Sequence, residues 1–232
     1  MNGFYAIAID GPSGAGKSTQ ARRLAAAFNF IYVDTGAIYR TLGLACVRAG
    51  IDRHNVAAVM EQLRSIDISI AYNEAGEQRM YLNGEDVSRE IRQPEISLAA
   101  SDVSSIAEVR AFLLEMQRRF ARENHVVMDG RDIGTVVLPD AELKIFLTAS
   151  PESRARRRLL DLKEKGIEES FEKVLEDIIL RDEQDTKRAA APLKQAEDAV
   201  LVDSSELGFD ETFAVLCDIV VQRFALDQED RA

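Results

Sequence analysis

The sequence of 232 residues predicts an α/β fold in which a five-stranded parallel sheet carries helices on both faces. Short apolar runs alternate with segments of helical periodicity, and neither an internal repeat nor a low-complexity linker interrupts them. Such runs are typical of strands that are buried on both faces of a sheet. The predicted strands are residues 5–9, 31–33, 126–128, 143–147 and 200–202, and the first and the last are expected to be buried.

Between these runs, apolar residues recur three and four positions apart, which predicts amphipathic helices. Asn55 is a residue type that caps helix N-termini, while Gly50 and Gly166 are of the type that ends a helix. The predicted helices are residues 17–28, 37–49, 56–63, 95–104, 108–123, 151–165, 171–187 and 209–224.

One segment breaks this pattern. Ile66, Ile68 and Ile70 alternate with less apolar residues, which is the period of a half-exposed strand. A strand is expected at 79–82, and the Asn-Gly pair at 83–84 then indicates a tight hairpin leading to a short strand at 86–87. Residues 66–88 are therefore predicted to form a small three-stranded antiparallel insert.

The composition excludes several classes of protein. Hydrophobic residues make up 46% of the chain and charged residues 30%, which excludes a disordered or collagen-like chain. The 40 acidic residues outnumber the 29 basic ones, so the net charge is −11. This balance argues against nucleic acid or an anionic membrane surface as a partner. The two histidines are too few and too scattered to indicate a zinc site.

Cysteine usage predicts a reducing compartment. Only Cys46 and Cys217 occur, far apart in the sequence, which excludes a disulfide framework. The first ten residues do not resemble a signal peptide, and no apolar run reaches the roughly 18 residues that cross a membrane. We therefore expect a cytoplasmic protein.

The strongest motif follows the first predicted strand and matches G-x-x-x-x-G-K-[ST]. Its glycines let backbone N–H groups approach phosphate oxygens, and the helix that follows adds its positive end. Lys17 is expected to reach the β- and γ-phosphates, and the Ser18 hydroxyl is expected to ligate Mg²⁺. The alternative is a glycine-rich turn with an accidental Lys-Ser pair, which the flanking strand and helix disfavour. The predicted ATP-binding residues are Gly11, Pro12, Ser13, Gly14, Ala15, Gly16, Lys17, Ser18 and Thr19.

Other features narrow the class of nucleotide-binding protein. The sequence has no Asn-Lys-x-Asp element to read guanine and no Leu-Ser-Gly-Gly signature of a transporter ATPase. It has instead arginines after predicted strands and along two late helices. Arginines in those places are suited to neutralise two phosphorylated ligands that meet during phosphoryl transfer.

Two clusters follow predicted strands, where ligands bind in open α/β sheets. Residues 34–40 bring a carboxylate, a hydroxyl, a tight turn and a cation, and residues 129–132 pack alternating charges around Gly130. The alternatives are a helix cap for the first cluster and a surface ion-pair turn for the second.

Two late helices carry further candidates. Arg154 and Arg158 are four positions apart and share one helix face, while Arg181, Asp185 and Arg188 share another. For the helix with Arg154 and Arg158 the alternative is a solvated face. For the helix with Arg181 and Asp185 it is an intrahelical salt bridge. Each alternative is the simpler explanation when its helix is taken alone.

Taken together, these motifs resemble the bacterial cytidylate kinases of the nucleoside monophosphate kinase superfamily. The resemblance covers residues 4–225. It is carried by Ile-Asp-Gly-Pro-Ser-Gly-Ala-Gly-Lys at 9–17, Asp-Thr-Gly-Ala-Ile-Tyr-Arg at 34–40, Leu-Asn-Gly-Glu-Asp-Val-Ser at 82–88, Asp-Gly-Arg-Asp-Ile-Gly-Thr-Val-Val at 129–137, Lys-Ile-Phe-Leu at 144–147, Arg-Asp-x-x-Asp at 181–185 with Arg188, and Ala-Pro-Leu at 191–193.

The resemblance implies one kinase domain over residues 1–232 with three parts. These are a P-loop core (1–35, 107–150 and 167–232), a CMP-binding domain that contains the insert (36–106), and a short helical lid (151–166).

The resemblance also implies roles for individual residues. Arg40 and Arg131 would hold the CMP phosphate, Arg181 and Asp185 the ribose and acceptor side, and the lid arginines the transferring group. The implied catalytic residues are Lys17, Arg131, Arg154, Arg158 and Arg181. The implied CMP-binding residues are Asp34, Thr35, Tyr39, Arg40, Ser101, Arg110, Asp129, Arg131, Asp132, Arg181, Asp185 and Arg188.

The expected reaction is therefore transfer from ATP, with Mg²⁺ as cofactor, to CMP or dCMP by a monomer. One alternative is a P-loop kinase for UMP, AMP or a non-nucleotide acceptor, against which the 66–88 insert and the 129–132 cluster count. The other is a non-enzymatic nucleotide-dependent switch or a nucleic-acid binder, against which the charge of −11 and the missing guanine-reading element count.

Overall fold

The protein is described by a computed structural model that covers residues 4–74, 76–164 and 166–225. Its strands are β1 (Ala6–Asp10), β2 (Ile31–Asp34), β3 (Ile68–Tyr72), β4 (Gln78–Leu82), β5 (Glu85–Asp86), β6 (Val126–Gly130), β7 (Leu143–Thr148) and β8 (Val200–Asp203). Its helices are α1 (Lys17–Ala27), α2 (Thr35–Arg48), α3 (Val56–Ser65), α4 (Pro94–Ser104), α5 (Ala107–Glu123), α6 (Pro151–Glu164), α7 (Phe171–Lys187) and α8 (Phe209–Phe224).

The larger sheet has five strands in the order β2-β6-β1-β7-β8. Strand β1 lies parallel between β6 and β7, with Ile7 opposite both Val127 and Leu143. Strand β7 in turn pairs parallel with β8. The predicted five-stranded parallel sheet is thus confirmed. Because the strands are parallel, their carboxyl ends and the loops that follow them lie at one edge of the sheet.

The smaller sheet confirms the predicted insert. Strands β3, β4 and β5 are antiparallel neighbours in that order, with Ile68 opposite Leu82. Ile68 is buried while Ser69 is exposed, as the alternating pattern predicts. The third strand begins one residue earlier than predicted, at Glu85.

The prediction that the last strand, residues 200–202, is buried is wrong for most of β8. Val202 is buried, but Val200, Leu201 and Asp203 are exposed. Strand β8 is the last in the order and has a neighbour on one side only, but β2 at the other end is mostly buried, so the end position alone does not account for the exposure. An apolar run by itself does not distinguish an edge strand from a central one.

Two turns interrupt the regular elements and were not predicted. A short 3₁₀ turn covers Glu90–Arg92, and a single π-helical turn covers Ile133–Val137. In the π-helical turn the backbone carbonyl of Asp132 accepts from Val136 N at 2.9 Å and from Val137 N at 3.1 Å. The turn follows directly on the predicted 129–132 cluster and therefore orients its last residue.

The predicted cap of α3 is confirmed, and a helix cap, the alternative for the 34–40 cluster, is found at the start of α2. The Asn55 side chain accepts from Ala58 N, which begins α3. The Asp34 side chain accepts from Ala37 N and begins α2 two residues earlier than the sequence predicts. Such caps satisfy backbone donors that a helix N-terminus leaves unpaired.

The chain divides into two compact units. The first unit combines the described residues up to Ile31 with those from Glu123 onward, and the second unit is Tyr32–Arg122. In the second unit α2 packs closely on α4 at Gly43, where a Cβ atom would lie 2.9 Å from Ala100 N. The finer boundaries of the predicted core, CMP-binding domain and lid stay a prediction.

Cys46 and Cys217 are both buried, and neither is part of a disulfide. None of the helices in the described ranges combines the length and the apolar character that a bilayer crossing requires.

Candidate active site

The phosphate loop of the first unit lies between the end of β1 and the start of α1. Gly11 has a φ of +149°, and a Cβ there would lie 1.9 Å from the Leu147 carbonyl oxygen. Gly14 and Gly16 also have positive φ values, of +75° and +86°. Side chains at these positions would be strained or would clash, so the glycines of the motif are required by the shape of this loop.

Lys17 is the first residue of α1 and is buried beneath the loop. Its Nζ donates to the Pro12 carbonyl oxygen at 2.7 Å. Burial lowers the pKa of Lys17 well below its ordinary value, and the positive charge of Arg131 lowers it further. An anion bound in the loop would offset both effects, because a nearby opposite charge favours the charged form of a group.

Ser18 and Asp129 come together at the same end of the sheet. Ser18 Oγ donates to Asp129 Oδ2 at 2.8 Å, across 111 positions of sequence. A hydroxyl and a carboxylate oxygen are ligands that suit Mg²⁺. In the described ranges no group of three or more His, Cys, Asp or Glu side chains is placed to hold a metal ion. The pair therefore fits an Mg²⁺ ion that takes its other ligands from phosphates and water.

Asp10 is a residue of this region that the sequence does not single out. Its Oδ1 accepts from Ile133 N at 2.8 Å and its Oδ2 from Gly134 N at 2.7 Å. Burial raises the pKa of Asp10 to about 6, although those two hydrogen bonds lower it. The sequence feature that could have identified Asp10 is its position as an acidic residue at the end of an otherwise apolar strand.

Asp185 on α7 and Arg188, which caps the C-terminus of α7, meet the 129–132 cluster. Arg131 Nε donates to Asp185 Oδ2 at 2.6 Å, and Arg188 Nη2 donates to Asp132 Oδ1 at 3.3 Å. These pairs join residues that are 54 and 56 positions apart. Burial would raise the pKa of Asp185, but the neighbouring Arg131 holds it below its ordinary value. The face shared by Asp185 and Arg188 thus serves a tertiary contact in addition to any contact within the helix.

The predicted arginines of α6 have different surroundings. Arg154 is 2% exposed and donates to Asp182, to Ala149 O and to Ser13 O. Arg158 is exposed. Between them Arg157 donates to the side chain and the backbone carbonyl of Ser204. A common helix face therefore does not give Arg154 and Arg158 a common environment.

In the second unit, the start of α2 carries an ion cluster. Arg40 Nη2 donates to Asp34 Oδ2 at 2.6 Å, and Arg92 Nη2 lies 4.0 Å from the same oxygen. Gln78 on β4 holds the Asp34 backbone by accepting from its N–H at 2.7 Å. Thr35 is buried at the first position of the helix. The sequence does not single out Arg92 or Gln78, because both come from elements distant in sequence.

Three other predicted residues of the second unit lie on α2, α4 and α5. The Arg110 guanidinium carbon lies 5.2 Å from the centre of the Tyr39 ring. Arg110 Nη1 also donates to the Ser104 carbonyl oxygen at 3.2 Å. Ser101 is half-buried on α4. The structure therefore brings Arg110 and Tyr39 together within this unit.

The chain is similar to known proteins over nearly its whole length. The family model described as cytidylate kinase matches residues 7–223. A cytidylate kinase of Caldicellulosiruptor bescii is 51% identical over 88% of this chain and 90% of its own. Cytidylate kinases of Geobacter sp. and Lactobacillus johnsonii are 48% and 44% identical, over 94% and 96% of both chains respectively.

Likeness to a solved structure concerns the fold alone. The crystal structure of an uncharacterized protein from Eubacterium ventriosum superposes with a TM-score of 0.51 at 12% identity, covering 94% of this chain and 98% of that one. The family match, the level of identity and the phosphate loop all agree. The chain belongs to the cytidylate kinase family.

Proposed function

We propose that this protein transfers the γ-phosphoryl group of ATP to CMP or dCMP, giving ADP and CDP or dCDP. The choice of acceptor rests on the burial of Asp132, which follows β6. Its carboxylate accepts a hydrogen bond from Arg188. Family membership and the phosphate loop support ATP-dependent phosphoryl transfer.

The proposed base recognition follows from the pattern of donors and acceptors on cytosine. Cytosine carries an amino group that donates, and a carboxylate such as Asp132 is a suitable acceptor. Uracil carries a carbonyl at that place, so two oxygens would face one another. The acceptors of cytosine need donors, and Arg110, Arg188 and Ser101 are the proposed ones. A site built to hydrogen-bond a polar group can reject an analogue that lacks it by roughly 10⁴-fold.

On the donor side, the phosphate loop would bind the triphosphate. Its backbone N–H groups and Lys17 supply positive charge where the β- and γ-phosphates would lie. Ser18 and Asp129 are the residues that would hold Mg²⁺. When bound, the ion neutralises charge on the phosphates. The sequence predicts Asp129 as a CMP-binding residue, and its hydrogen bond to Ser18 supports the metal role more directly.

The proposed function also assigns roles to the residues that would bind the phosphate and the ribose of CMP. Arg40 and Arg131 are proposed to hold the CMP phosphate. Asp34, Thr35 and Tyr39 are proposed as further CMP-binding residues, and Arg181 and Asp185 as the residues that hold the ribose. Transfer would need no covalent intermediate, because positioning and charge neutralisation are the main sources of rate in this chemistry. We further propose that residues 151–166 act as a lid, and that the protein is a cytoplasmic monomer.

A panel of acceptors tests the proposed function. The protein is incubated with MgATP and, separately, with CMP, dCMP, UMP, AMP or GMP, and ADP formation is measured. We expect turnover with CMP and dCMP and little with the others. ATP binding without turnover on either cytidine nucleotide would contradict the proposal.

The base-reading role of Asp132 needs its own test. Asp132→Ala should lower the ratio of kcat/KM for CMP to that for UMP by about tenfold or more, because one charge-assisted hydrogen bond to cytosine is lost. Asp140→Ala is the matched control, since Asp140 is an exposed acid that follows the same strand. An unchanged ratio in Asp132→Ala would remove Asp132 from base recognition.

A further inference from the structure

We propose that Arg154 is a positioning residue that sets the backbone of the phosphate loop, and that Asp182 holds Arg154 in place. The family resemblance implies that Arg154 stabilises the transferring phosphoryl group, but the N–H donors of Arg154 have other partners in the structure. The inference rests on the proposed function insofar as the loop binds a triphosphate.

The hydrogen bonds of Arg154 account for most of its donors. Nε donates to Ala149 O at 2.9 Å, and Nη1 donates to Ser13 O at 2.9 Å and to Asp182 Oδ1 at 3.0 Å. Nη2 donates to Asp182 Oδ2 at 2.5 Å. A guanidinium has five N–H groups, so these contacts engage four of them. Little of this side chain is left to bind a phosphoryl oxygen.

The hydrogen bond from Arg154 to Ser13 O fixes the direction of the Gly14 N–H group. In a trans peptide the C=O of one residue and the N–H of the next point in opposite directions, and the described chain contains no cis peptide. Since Ser13 O points at the Arg154 guanidinium, Gly14 N–H points away from it. In a loop of this type the backbone N–H groups bind phosphate, so the direction of the Gly14 N–H matters for triphosphate binding.

Packing supports the same role. A Cβ at Gly14 would lie 3.4 Å from Arg154 Cβ and 3.8 Å from its Cγ. The aliphatic part of Arg154 therefore lies directly against Gly14, whose φ of +75° is unfavourable for other residues. Arg154 contacts the loop both through a hydrogen bond and through this close approach.

Asp182 provides what a buried guanidinium requires. The Arg154 side chain is 3% exposed and that of Asp182 is 24% exposed. Burial of a cation costs free energy unless the cation is paired. A bidentate pair with a carboxylate also fixes the orientation of the guanidinium. Asp182 lies on α7 and Arg154 on α6, so both helices support one peptide group of the loop.

The test compares triphosphate binding with CMP binding. Dissociation constants of inorganic tripolyphosphate, MgATP and CMP are measured by calorimetry for the full chain and for Asp182→Asn and Arg154→Lys, at a temperature well below each Tm. Lysine keeps the charge but lacks the planar fork, so it cannot hold Ser13 O and Asp182 as arginine does. Glu183→Gln is the matched control, because Glu183 is the next residue on α7 and pairs with exposed Lys187.

We expect tripolyphosphate and MgATP to bind about tenfold to hundredfold more weakly to both variants, as loss of one charge-assisted contact implies. CMP should bind within about twofold of the unaltered protein, and Glu183→Gln should leave all three constants unchanged. This separation distinguishes positioning of the loop from a general loss of structure, which would weaken all three ligands alike.

Two results would overturn the inference. One is an unchanged affinity for tripolyphosphate in folded Asp182→Asn, and the other is an equal loss for CMP and tripolyphosphate. If Arg154→Lys does not fold, Asp182→Asn alone decides. Failure of the unaltered protein to bind MgATP would contradict the proposed function instead, so the two failures are distinguishable.

Discussion

The two units handle charge in different ways. In the first unit, Arg131 pairs with Asp185 and Arg188 pairs with Asp132, and both carboxylates are buried. In the second unit, Arg40 and Arg92 both approach the single carboxylate of Asp34, and the Arg92 side chain is 56% exposed.

The difference has consequences for folding and for binding. A buried ion that loses its partner destabilises the fold, whereas an exposed ion pair contributes little. The paired residues of the first unit, Arg131 with Asp185 and Arg188 with Asp132, should therefore combine stability and activity. At the start of α2 the two cations exceed the one anion, which leaves positive charge for a phosphate. A change to the exposed Arg92 should affect acceptor binding and leave stability nearly unaltered, whereas Arg40 pairs with a buried carboxylate.

The largest effect is expected at Lys17, the buried cation of the phosphate loop. Lys17→Met should lower kcat by about a hundredfold to a thousandfold, because it removes a charge aimed at the transferring group. Its pKa in the folded state lies below the ordinary value, so the charged form opposes folding at neutral pH. The Tm should therefore not fall. A large fall in Tm measured by calorimetry, with kcat retained, would contradict this prediction.

The next effect is a pH dependence at Asp10. Its folded pKa of about 6 lies above the ordinary value of 3.8, so the folded protein binds the proton more tightly than the unfolded chain does. The stabilising contribution of the bound proton is complete below about pH 4 and is lost as the pH rises through 6. Its size is about 3 kcal/mol, from 1.36 kcal/mol for each pKa unit.

Urea unfolding at pH 4.5, 6.0 and 7.5 measures this contribution. The unaltered protein is compared with Asp10→Asn, so that the titration of other carboxylates cancels. The free energy of unfolding of the unaltered protein should fall relative to that of the variant between pH 4.5 and 7.5. Parallel pH curves for the two proteins would show that the Asp10 carboxyl has an ordinary pKa.

Arg131 tests the pairing in the first unit. Arg131→Gln should lower the free energy of unfolding by about 2 kcal/mol, because Asp185 loses a charge-assisted hydrogen bond. The double variant Arg131→Gln with Asp185→Asn should lose less than the sum of the single variants, since no unpaired carboxylate remains. Strictly additive losses in denaturant titrations would mean that the two side chains do not interact.

The smallest effect is expected at Arg92 in the second unit. Arg92→Gln should raise KM for CMP by about threefold to tenfold, as the loss of one partly exposed charge implies, with kcat and Tm nearly unchanged. Arg79→Gln is a suitable control, because Arg79 lies in the same unit and pairs with exposed Glu77. If both variants alter KM for CMP equally, Arg92 has no particular role at the start of α2.

Local features of the fold could be predicted from the sequence because their causes lie within a few residues. The phosphate loop needs its glycines at fixed spacing for its own backbone conformation. The small antiparallel sheet follows from period-2 alternation and an Asn-Gly turn, and the starts of α2 and α3 involve the capping residues Asp34 and Asn55. Neighbouring residues carry all of this information.

Partnerships over long sequence separations could not be predicted in this way. Asp129 is near Ser18 because β6 and β1 are adjacent, and Asp10 reaches the turn at Ile133 for the same reason. Strands β2 and β8 lie at the two ends of the strand order, yet β2 is mostly buried and β8 mostly exposed, a difference that their apolar composition does not reveal.

The sequence by itself determined the family, the phosphate loop, the order of helices and strands, and the residue types available for phosphoryl transfer. Only the tertiary structure decided which carboxylate each arginine meets, and so which arginines remain for a ligand. Arg154 and Arg158 show why, since both lie on α6 and yet one is buried against Asp182 while the other is exposed. Helical spacing sets the direction of a side chain, but its partner depends on the elements that pack beside it.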